Sequence, residues 1–333
     1  GEVVLQNVSR ADDCLSLRRC LQTLGVSITP LEIDDDWLIR GCAGNMPKKE
    51  AVLDCGAGGT TFRFLWALCA TQRGDYQFRV DEQLKGRPHE PLFESTSQLN
   101  CQFESTDDGW HLDSRNWQPC DITVDCEVSS QFVSAFVLAQ FHSVTFGVES
   151  STDKQMPYFE LTQKIMGQFE KRPESYSIPA DFSAAMYFAG LALVNKSTVY
   201  FARDICLDHP EKYAYEFLQK HFGLRWTDSS FVVDRVIQTD GESPLNYDVA
   251  LAPDASLLVA VMCRIFSQDV GFAGSESLQH KESDRQHALH SLQYAVDEID
   301  SLQDHRIAMA AAVLQLAFPQ LRINGRDCVS KSF

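Results

Sequence analysis

The feature that most constrains the fold of this chain is an internal repeat, marked by similar helix starts. At each start, small or polar residues precede an apolar helix, and the equivalent positions are Thr60, Gln131, Ser183, Ala255 and His305. These positions are spaced 71, 52, 72 and 50 residues apart. Self-similarity at a fixed period indicates a repeat architecture and outweighs any single local motif. The chain is therefore predicted to consist of copies of one unit.

Two intervals fall short of the period by similar amounts, after Glu170 or Lys171 and near Gln293–Tyr294. About 20 residues, the length of a few short strands, are predicted to be absent at each place. A helix of the repeated type should also precede the first residue, and the chain stops abruptly after a predicted strand. We therefore expect an N-terminal domain at residues 1–178, with an incomplete first repeat, and a C-terminal domain at residues 179–333, truncated at its end.

Composition is that of a soluble globular protein, with 44% hydrophobic and 23% charged residues. No apolar run approaches the roughly 20 residues that span a bilayer. The net charge of −17 disfavours nucleic acid as a partner. The 11 cysteines form no Cys-x-x-Cys pair, which favours reduced thiols in a cytoplasm over a disulfide framework or a zinc site. We expect a cytoplasmic protein without membrane or nucleic-acid partners, in which individual Arg and Lys residues bind any anion.

Two helix starts carry residue types that bind anions. The run Gly56–Gly59 leaves backbone N–H groups unpaired at the start of an apolar helix, where the macrodipole adds positive charge. Most glycine-to-helix junctions are only turns, and that alternative stays open. Ser129, Ser130 and Gln131 offer adjacent polar groups that either hold phosphate or hydroxyls or only cap the helix.

Three charged positions allow a functional or an ordinary interpretation. A proline keeps Arg87 on a loop, where it either binds an anion or is solvated. Asp254 stands at a helix start, where an acidic residue is commonly a cap. Lys281, Glu282 and Arg285 belong to the densest charged cluster, with Lys281 and Arg285 at helical spacing on one face. A solvated, salt-bridged face is the alternative for that cluster.

These residues resemble the enolpyruvyl transferases, and within them the 5-enolpyruvylshikimate-3-phosphate synthase family of the shikimate pathway. The resemblance covers the whole chain and rests on Gly59-Thr60-x-x-Arg63, Arg87-Pro88, Ser129-Ser130-Gln131, Pro157-Tyr158, Pro253-Asp254-Ala255, Lys281-Glu282-x-x-Arg285, Asp304-His305-Arg306 and Lys331. It implies an α/β fold of two domains, each built of three βαβαββ repeats, as an inside-out α/β barrel. The sister family that acts on UDP-N-acetylglucosamine shares this fold but resembles the chain less.

The resemblance also implies the substrates and their ligands. Shikimate 3-phosphate would be held by Ser129, Ser130, Gln131, Tyr158, Asp254 and Lys281. Phosphoenolpyruvate would be bound by Gly59, Thr60, Arg87, Gln131, Arg285, Arg306 and Lys331. Its three negative charges require several cations, and arginine suits both phosphate and carboxylate. The implied partners are these two small molecules alone, bound to a monomer, and no metal or organic cofactor is implied.

The implied reaction adds the 5-hydroxyl of shikimate 3-phosphate to C2 of phosphoenolpyruvate, which needs a base for the hydroxyl and an acid for C3. The catalytic residues implied by the resemblance are Asp254, Glu282 and Lys331, with Glu282 close to the methylene carbon. Because ligands come from both halves of the chain, binding is expected to draw the halves together about a hinge near Lys171–Ala180, and the ligand-free protein should be open.

The sequence departs from the family's pattern at Ala57, Gln155 and Ser277, where the family usually has asparagine, serine and asparagine. The family's N-terminal Lys-Ser-x-x-x-Arg helix has no counterpart. Two alternatives stay open: the sister transferase, and a binding-only relative without turnover. The joint presence of the acidic and basic set favours an enzyme; this set comprises Asp254, Glu282, Arg285, Arg306 and Lys331.

Overall fold

The computed structural model describes residues 1–31, 35–140, 147–150, 156–233 and 244–331 of the 333-residue chain. The side chains of His280 and Lys331 lie outside this description. The chain divides between Ile178 and Pro179 into two units, which are called unit 1 and unit 2 below.

The strands of unit 1 are β1 (Glu2–Gln6), β2 (Ser27–Pro30), β3 (Trp37–Arg40), β4 (Glu50–Gly56), β5 (Asp75–Val80), β6 (Gln102–Thr106), β7 (Gly109–Asp113), β8 (Ile122–Val124), β9 (Val148–Ser150) and β10 (Ser175–Ser177). Its helices are α1 (Asp12–Thr23), α2 (Gly59–Ala70), α3 (Glu82–Lys85), α4 (Glu90–Gln98), α5 (Gln131–Gln140) and α6 (Pro157–Glu170).

The strands of unit 2 are β11 (Val199–Tyr200), β12 (Leu224–Thr227), β13 (Ser230–Val233), β14 (Leu245–Asp248), β15 (Val270–Ala273), β16 (Glu298–Asp300) and β17 (Arg322–Asn324). Its helices are α7 (Phe182–Asn195), α8 (Lys212–Phe222), α9 (Ser256–Ile265), α10 (Arg285–Tyr294) and α11 (His305–Ala317), with short 3₁₀ helices at Ser275–His280 and Arg326–Lys331.

One complete βαβαββ repeat runs from β4 to β7 in unit 1. Its sheet has the order β4-β5-β7-β6, in which β4 and β5 are parallel and β7 is antiparallel to both of its neighbours. The first sheet has the same arrangement, β10-β1-β3-β2, with β10 parallel to β1. Because β10 follows α6 in the chain, a late segment supplies the strand that opens the first repeat.

Three further repeats keep a parallel βαβ crossover. β8 and β9 flank α5, β14 and β15 flank α9, and β16 and β17 flank α11, each pair being parallel. Parallel neighbours need a crossover connection, which the repeated apolar helices provide. Residues 171–174 join α6 directly to β10, and residues 295–297 join α10 directly to β16. The two short intervals of the repeat therefore lack the closing hairpin that β6 and β7 form in the complete copy.

The apolar helices that mark the repeat are buried on nearly every face. In α9 every residue from Ser256 to Cys263 is buried, and α7 and α11 are similar. A helix that is apolar all round belongs in a core rather than at a surface. In unit 2 these three helices pack on one another within one core. Across the ranges given above, no helix is both long enough and apolar enough to cross a membrane.

Gly190 lets these three helices approach closely. A Cβ atom at this position would lie 2.8 Å from Leu258 Cδ1 in α9 and 3.3 Å from Val313 Cγ1 in α11. Glycine inside a helix costs about 1 kcal/mol relative to alanine. The packing of α7 against both neighbours therefore explains why glycine occupies the middle of this helix.

The core of unit 1 encloses a histidine among aromatic rings. His89 is 1% exposed, and its ring lies 5.0 Å from that of Phe62 and 5.1 Å from that of Trp110. Its Nε2 donates a hydrogen bond of 2.9 Å to the Leu84 carbonyl oxygen. Burial, reinforced by the positive charge of Arg63, lowers the pKa of His89 to about 3. The imidazole is therefore neutral in the folded protein at neutral pH.

We expect His89 to make unit 1 acid-sensitive. Below pH 6.5, the ordinary histidine value, the unfolded chain binds a proton that the folded chain does not, so stability falls as pH drops. The loss is about 1.4 kcal/mol per pH unit, or about 2 kcal/mol between pH 6.5 and pH 5. His89→Phe should remove this part of the pH dependence of urea unfolding, followed by the fluorescence of tryptophans such as Trp66 and Trp110.

The matched control for this experiment is His290→Phe, because His290 is exposed and lies against Tyr294 at 4.8 Å. This variant should keep the pH dependence of the unmodified protein. Equal pH slopes for the unmodified protein and His89→Phe would show that His89 is not responsible.

Candidate functional site

The candidate site in unit 2 is organised around Arg285, the first residue of α10, which is 3% exposed. Its Nε donates to Asp304 Oδ2 at 2.6 Å, and its Nη2 donates to Asp304 Oδ1 at 3.1 Å. Its Nη1 donates to Asp254 Oδ1 at 2.9 Å, and Glu282 Oε2 lies 3.6 Å from Nη2. A guanidinium held by a bidentate carboxylate and further acids has a fixed plane and a fixed charge.

Asp254 is clamped between two arginines. Its Oδ1 accepts from Arg285, and its Oδ2 lies 3.0 Å from Arg306 Nη2. Burial acts to raise the pKa of Asp254, but Arg306, Arg285 and Lys281 together hold it well below its usual range. The carboxylate is therefore ionised and oriented, and it is a weaker base than an isolated aspartate.

Asp254 does not cap the helix that follows it. The N-cap of α9 is Ala255, and no side-chain hydrogen bond is made from that position. Instead, the carboxylate of Glu211 accepts from the backbone N–H of Ala255 at 3.0 Å and from that of Asp254 at 3.4 Å. The interpretation of Asp254 as a cap is wrong, because a residue from another helix satisfies these donors and leaves the Asp254 side chain for the arginines.

Lys281 and Arg285 do not share a helix face. The 3₁₀ helix ends at His280 and α10 begins at Arg285, so Lys281 and Glu282 lie on the connection between them. The solvated alternative is also wrong, because Glu282 Oε2 lies 3.2 Å from His305 Nδ1 and the Glu282 side chain is 9% exposed. Burial lowers the pKa of Lys281, and the negative charge of Asp254 opposes that effect.

Three residues of this cluster could in principle hold a metal ion, since atoms of Glu282, Asp304 and His305 lie within 4.8 Å of one another. Both oxygens of Asp304 already accept from Arg285, and one of them also accepts from Ser283 Oγ at 2.9 Å. A metal ion would have to displace the arginine. The donor set therefore suits a salt-bridge network better than a cation site.

The candidate site in unit 1 is organised around Arg63, which is 2% exposed in α2. Its Nη1 donates to Gln131 Oε1 at 2.7 Å, and its Nη2 donates to the Pro88 carbonyl oxygen at 3.2 Å. The Gln131 amide nitrogen donates in turn to Thr60 Oγ1 at 3.1 Å. Arg63 thus fixes both the amide of Gln131 and the loop that carries Arg87.

Arg87 packs against the start of α2. A Cβ atom at Gly59 would lie 2.8 Å from Arg87 Nη1, so the guanidinium lies directly on the glycine backbone. The Arg87 side chain is half-buried, and the interpretation of a solvated loop arginine is wrong. Burial, followed by the charge of Arg87, lowers the pKa of Arg63. Two cations beside a helix N-terminus form an environment suited to an anion.

The remaining predicted site residues lie at helix starts or outside the description. Ser129 Oγ accepts from the Gln131 N–H at 3.2 Å, as in the ordinary capping interpretation, and Ser130 is half-buried beside it. Tyr158 is the second residue of α6. Ser277 is exposed, and its hydroxyl donates a hydrogen bond of 2.8 Å to the Gly274 carbonyl oxygen. Ala57 lies in the turn before α2, whereas Gln155 and the Lys331 side chain fall outside the described residues.

The structure thus brings the predicted residues together in two clusters. Unit 1 holds Gly59, Thr60, Arg87 and Gln131, and unit 2 holds Asp254, Lys281, Glu282, Arg285 and Arg306. The sequence motifs include Arg63, Asp304 and His305, but no role was predicted for these residues. Glu211 was not predicted to belong to the site. The two charged residues at the starts of α8 and α11, Glu211 and Asp304, carry no signal beyond that of an ordinary cap.

Comparisons with known proteins show what this chain is similar to. The family model described as EPSP synthase (3-phosphoshikimate 1-carboxyvinyltransferase) matches residues 1–292. The 3-phosphoshikimate 1-carboxyvinyltransferases of Methanosphaerula palustris and Ralstonia nicotianae are 28% and 26% identical to this chain, with 100% of it and 89% of each relative covered. A solved EPSP synthase from Acinetobacter baumannii has a TM-score of 0.71 at 18% identity, covering 100% of this chain and 88% of that one. The fold implied by the sequence is confirmed.

Proposed function

The chain belongs to the EPSP synthase family, and we infer that it transfers the enolpyruvyl group of phosphoenolpyruvate to the 5-hydroxyl of shikimate 3-phosphate, releasing phosphate. This reaction is a step of the shikimate pathway, which makes aromatic amino acids. The observation that carries the inference is the buried network of Asp254, Arg285 and Arg306 in unit 2. It combines an oriented carboxylate, which can accept a proton, with the fixed cations that a phosphorylated enol requires.

We assign the substrates as the resemblance implies, residue by residue. Shikimate 3-phosphate is assigned to Ser129, Ser130, Gln131, Tyr158, Asp254 and Lys281. Phosphoenolpyruvate is assigned to Gly59, Thr60, Arg87, Gln131, Arg285, Arg306 and Lys331. The fixed amide of Gln131, the packing of Arg87 on Gly59 and the rigid plane of Arg285 support these assignments, because preorganised donors lose little entropy when they bind an anion.

The assigned chemistry runs in two steps. In the addition, the 5-hydroxyl oxygen bonds to C2, its proton passes to Asp254, and C3 gains a proton from Glu282 or Lys331. In the elimination, C3 returns its proton to Glu282 or Lys331, the C2–O bond to phosphate breaks to form the enolpyruvyl product, and the leaving phosphate oxygen takes the proton from Asp254. The low pKa of Asp254 suits an acceptor that orients the hydroxyl and takes its proton only as the new bond forms, when the hydroxyl becomes acidic.

The test is phosphate release by the purified protein with shikimate 3-phosphate and phosphoenolpyruvate together, and with each alone. Release only with both is expected. Release when UDP-N-acetylglucosamine replaces shikimate 3-phosphate would identify the sister activity. Binding of shikimate 3-phosphate without release would identify a binding-only relative.

We also propose that residues 1–178 and 179–333 are the two domains, with a hinge near Lys171–Ala180. The shortened repeats support the further proposal that segments are absent near residues 170 and 293. A monomer in the cytoplasm is the state we propose for the protein.

The contact between Gly59 and Arg87 gives a specific prediction for phosphoenolpyruvate. In Gly59→Ala the new methyl group must push the Arg87 guanidinium aside, because Nη1 would lie 2.8 Å from it. Misplacing a binding group by up to about 1 Å costs as much as 10²-fold, and we expect a KM for phosphoenolpyruvate about tenfold higher. The melting temperature should change little, because the displaced group is the end of a flexible side chain.

The matched control is Gly167→Ala in α6, where a Cβ atom would meet nothing within 4 Å. It should leave the KM for phosphoenolpyruvate unchanged and should stabilise the helix slightly. An unaltered KM in Gly59→Ala would remove Arg87 from the phosphoenolpyruvate ligands.

A further inference from the structure

Glu211 links two helices of unit 2. It is the N-cap residue of α8 and is 0% exposed, yet its side chain does not cap its own helix. Its carboxylate instead accepts from the N–H groups of Asp254 and Ala255, at the start of α9. A carboxylate at a helix N-terminus pairs with unsatisfied donors and with the positive end of the macrodipole. Glu211 therefore serves as the cap that α9 does not provide for itself.

The backbone around Asp254 is held from the opposite direction as well. The Tyr187 hydroxyl donates to the Asp254 carbonyl oxygen at 3.5 Å, and Tyr187 is 4% exposed. Pro253 precedes Asp254 and fixes its own φ angle. Because its N–H donates to Glu211 and its C=O accepts from Tyr187, the backbone that carries the Asp254 side chain is held on both sides.

Glu211 is itself fixed by its neighbours. Its N–H donates to His209 Nδ1 at 3.1 Å, and the His209 ring stacks on Phe182 with centroids 4.8 Å apart. The negative charge of Glu211 also acts on Lys281, where it opposes the lowering of the lysine pKa by burial. Glu211 therefore interacts with Asp254 and Lys281, both of which are assigned to shikimate 3-phosphate. Glu211 itself is not assigned as a ligand.

We propose that Glu211 is a positioning residue for the transfer reaction, which keeps the Asp254 carboxylate between Arg285 and Arg306 by capping α9 from another helix. The proposal rests on the function inferred above. Without Glu211, the buried N–H groups of Asp254 and Ala255 lose their acceptor, and the turn that carries Asp254 is no longer held against α8. A shift of this turn would move the Asp254 carboxylate away from Arg285 and Arg306.

The first test is a double-mutant cycle on kcat with Glu211→Gln and Asp254→Asn. Glutamine keeps the length of the side chain but offers one oxygen acceptor in place of two. We expect Glu211→Gln to lower kcat by about 10- to 100-fold, with a smaller change in KM. In the Asp254→Asn background it should change kcat by less than about twofold, because its target has already been lost. An equal factor in both backgrounds would overturn the proposal.

Two further variants separate positioning from general stability. Ile299→Val trims a buried side chain of β16 that is 1% exposed, and should lower the melting temperature while leaving kcat unchanged. Glu211→Asp keeps the charge but withdraws it by one methylene, and should lower kcat as well. Should Glu211→Gln fail to fold, the cycle is run with Glu211→Asp. A kcat loss that only follows the unfolded fraction would overturn the proposal.

A crystal structure of Glu211→Gln, or of Glu211→Asp in its place, makes the test independent of turnover. The expected result is a separation of Asp254 Oδ1 from Arg285 Nη1 beyond hydrogen-bonding distance, with α8 and α9 intact. If the unmodified protein releases no phosphate, the proposed function fails, whereas this displacement still decides the positioning of Asp254. An unmoved Asp254 carboxylate would overturn the role of Glu211.

Discussion

Replacing Asp254 with asparagine should lower turnover by about 10²- to 10⁴-fold, the usual loss when a general base is removed. Asparagine has the same shape but cannot take a proton, and it carries no charge for Arg285 and Arg306. Because Glu211 caps α9, the substitution does not disturb the helix start. Single-turnover phosphate release should be slow even with both substrates saturating.

The structure also changes the expected stability of Asp254→Asn. Breaking a buried ion pair commonly costs about 3–5 kcal/mol, but Arg285 keeps its two bonds to Asp304 in this variant. We therefore expect a loss below that range and a lower melting temperature, with the fold retained. Cooperative unfolding, together with binding of shikimate 3-phosphate measured by calorimetry, establishes that the variant is folded.

The matched control is Asp284→Asn, the same substitution at an exposed helix cap. Asp284 accepts from the His287 N–H at 3.0 Å, and asparagine caps helices equally well. This variant should turn over normally. Normal turnover in Asp254→Asn as well would disprove the assignment of the base, and an unfolded Asp254→Asn would show that the residue is structural.

Replacing Arg285 with lysine should have the second largest effect on the reaction, although the charge is unchanged. An ammonium group cannot bind both oxygens of Asp304 and also reach Asp254 Oδ1, as the guanidinium does. We expect kcat/KM to fall by about 10²-fold or more, mainly through weaker binding of phosphoenolpyruvate and a displaced Asp254. Asp304 is 0% exposed, and losing part of its pairing should cost about 1–3 kcal/mol of stability.

The control is Arg264→Lys in α9, which also replaces an arginine that donates two hydrogen bonds through its guanidinium group. Arg264 donates to the Leu292 carbonyl oxygen at 2.8 Å and to that of Ala295 at 2.6 Å, in the same unit. Lysine should destabilise the protein here too but leave kcat/KM near its original value. If Arg285→Lys stays within about threefold of the unmodified kcat/KM, the fixed guanidinium plane is unimportant for the reaction.

Local signals in the sequence were sufficient for most elements. Helix α6 runs from Pro157 to Glu170, and its signals, proline at the first helical position and an apolar period, are properties of neighbouring residues. The repeat was readable for the same reason, since every copy carries its own helix start. Motif spacing likewise identified most of the residues that the two clusters contain.

The predictions that failed concerned which partner each side chain has. Lys281 and Arg285 have helical spacing, but the helix begins only at Arg285. Arg87 is on a loop as predicted, but the loop packs on Gly59. For Arg87 the loop was predicted correctly and a contact with a residue far along the chain decided its environment, whereas for Lys281 the local helix start was placed too early.

The sequence by itself determined the repeated α/β architecture, the helix starts and the set of charged residues gathered at them, because each depends on residues a few positions apart. Only the tertiary structure decided what those residues do to one another. Arg63 orients Gln131 from 68 residues away, and Glu211 caps α9 from 44 residues away. Asp254 is consequently held between two arginines instead of capping its helix. Pairings at such separations leave no periodic trace in a sequence, since they depend on how the helices pack.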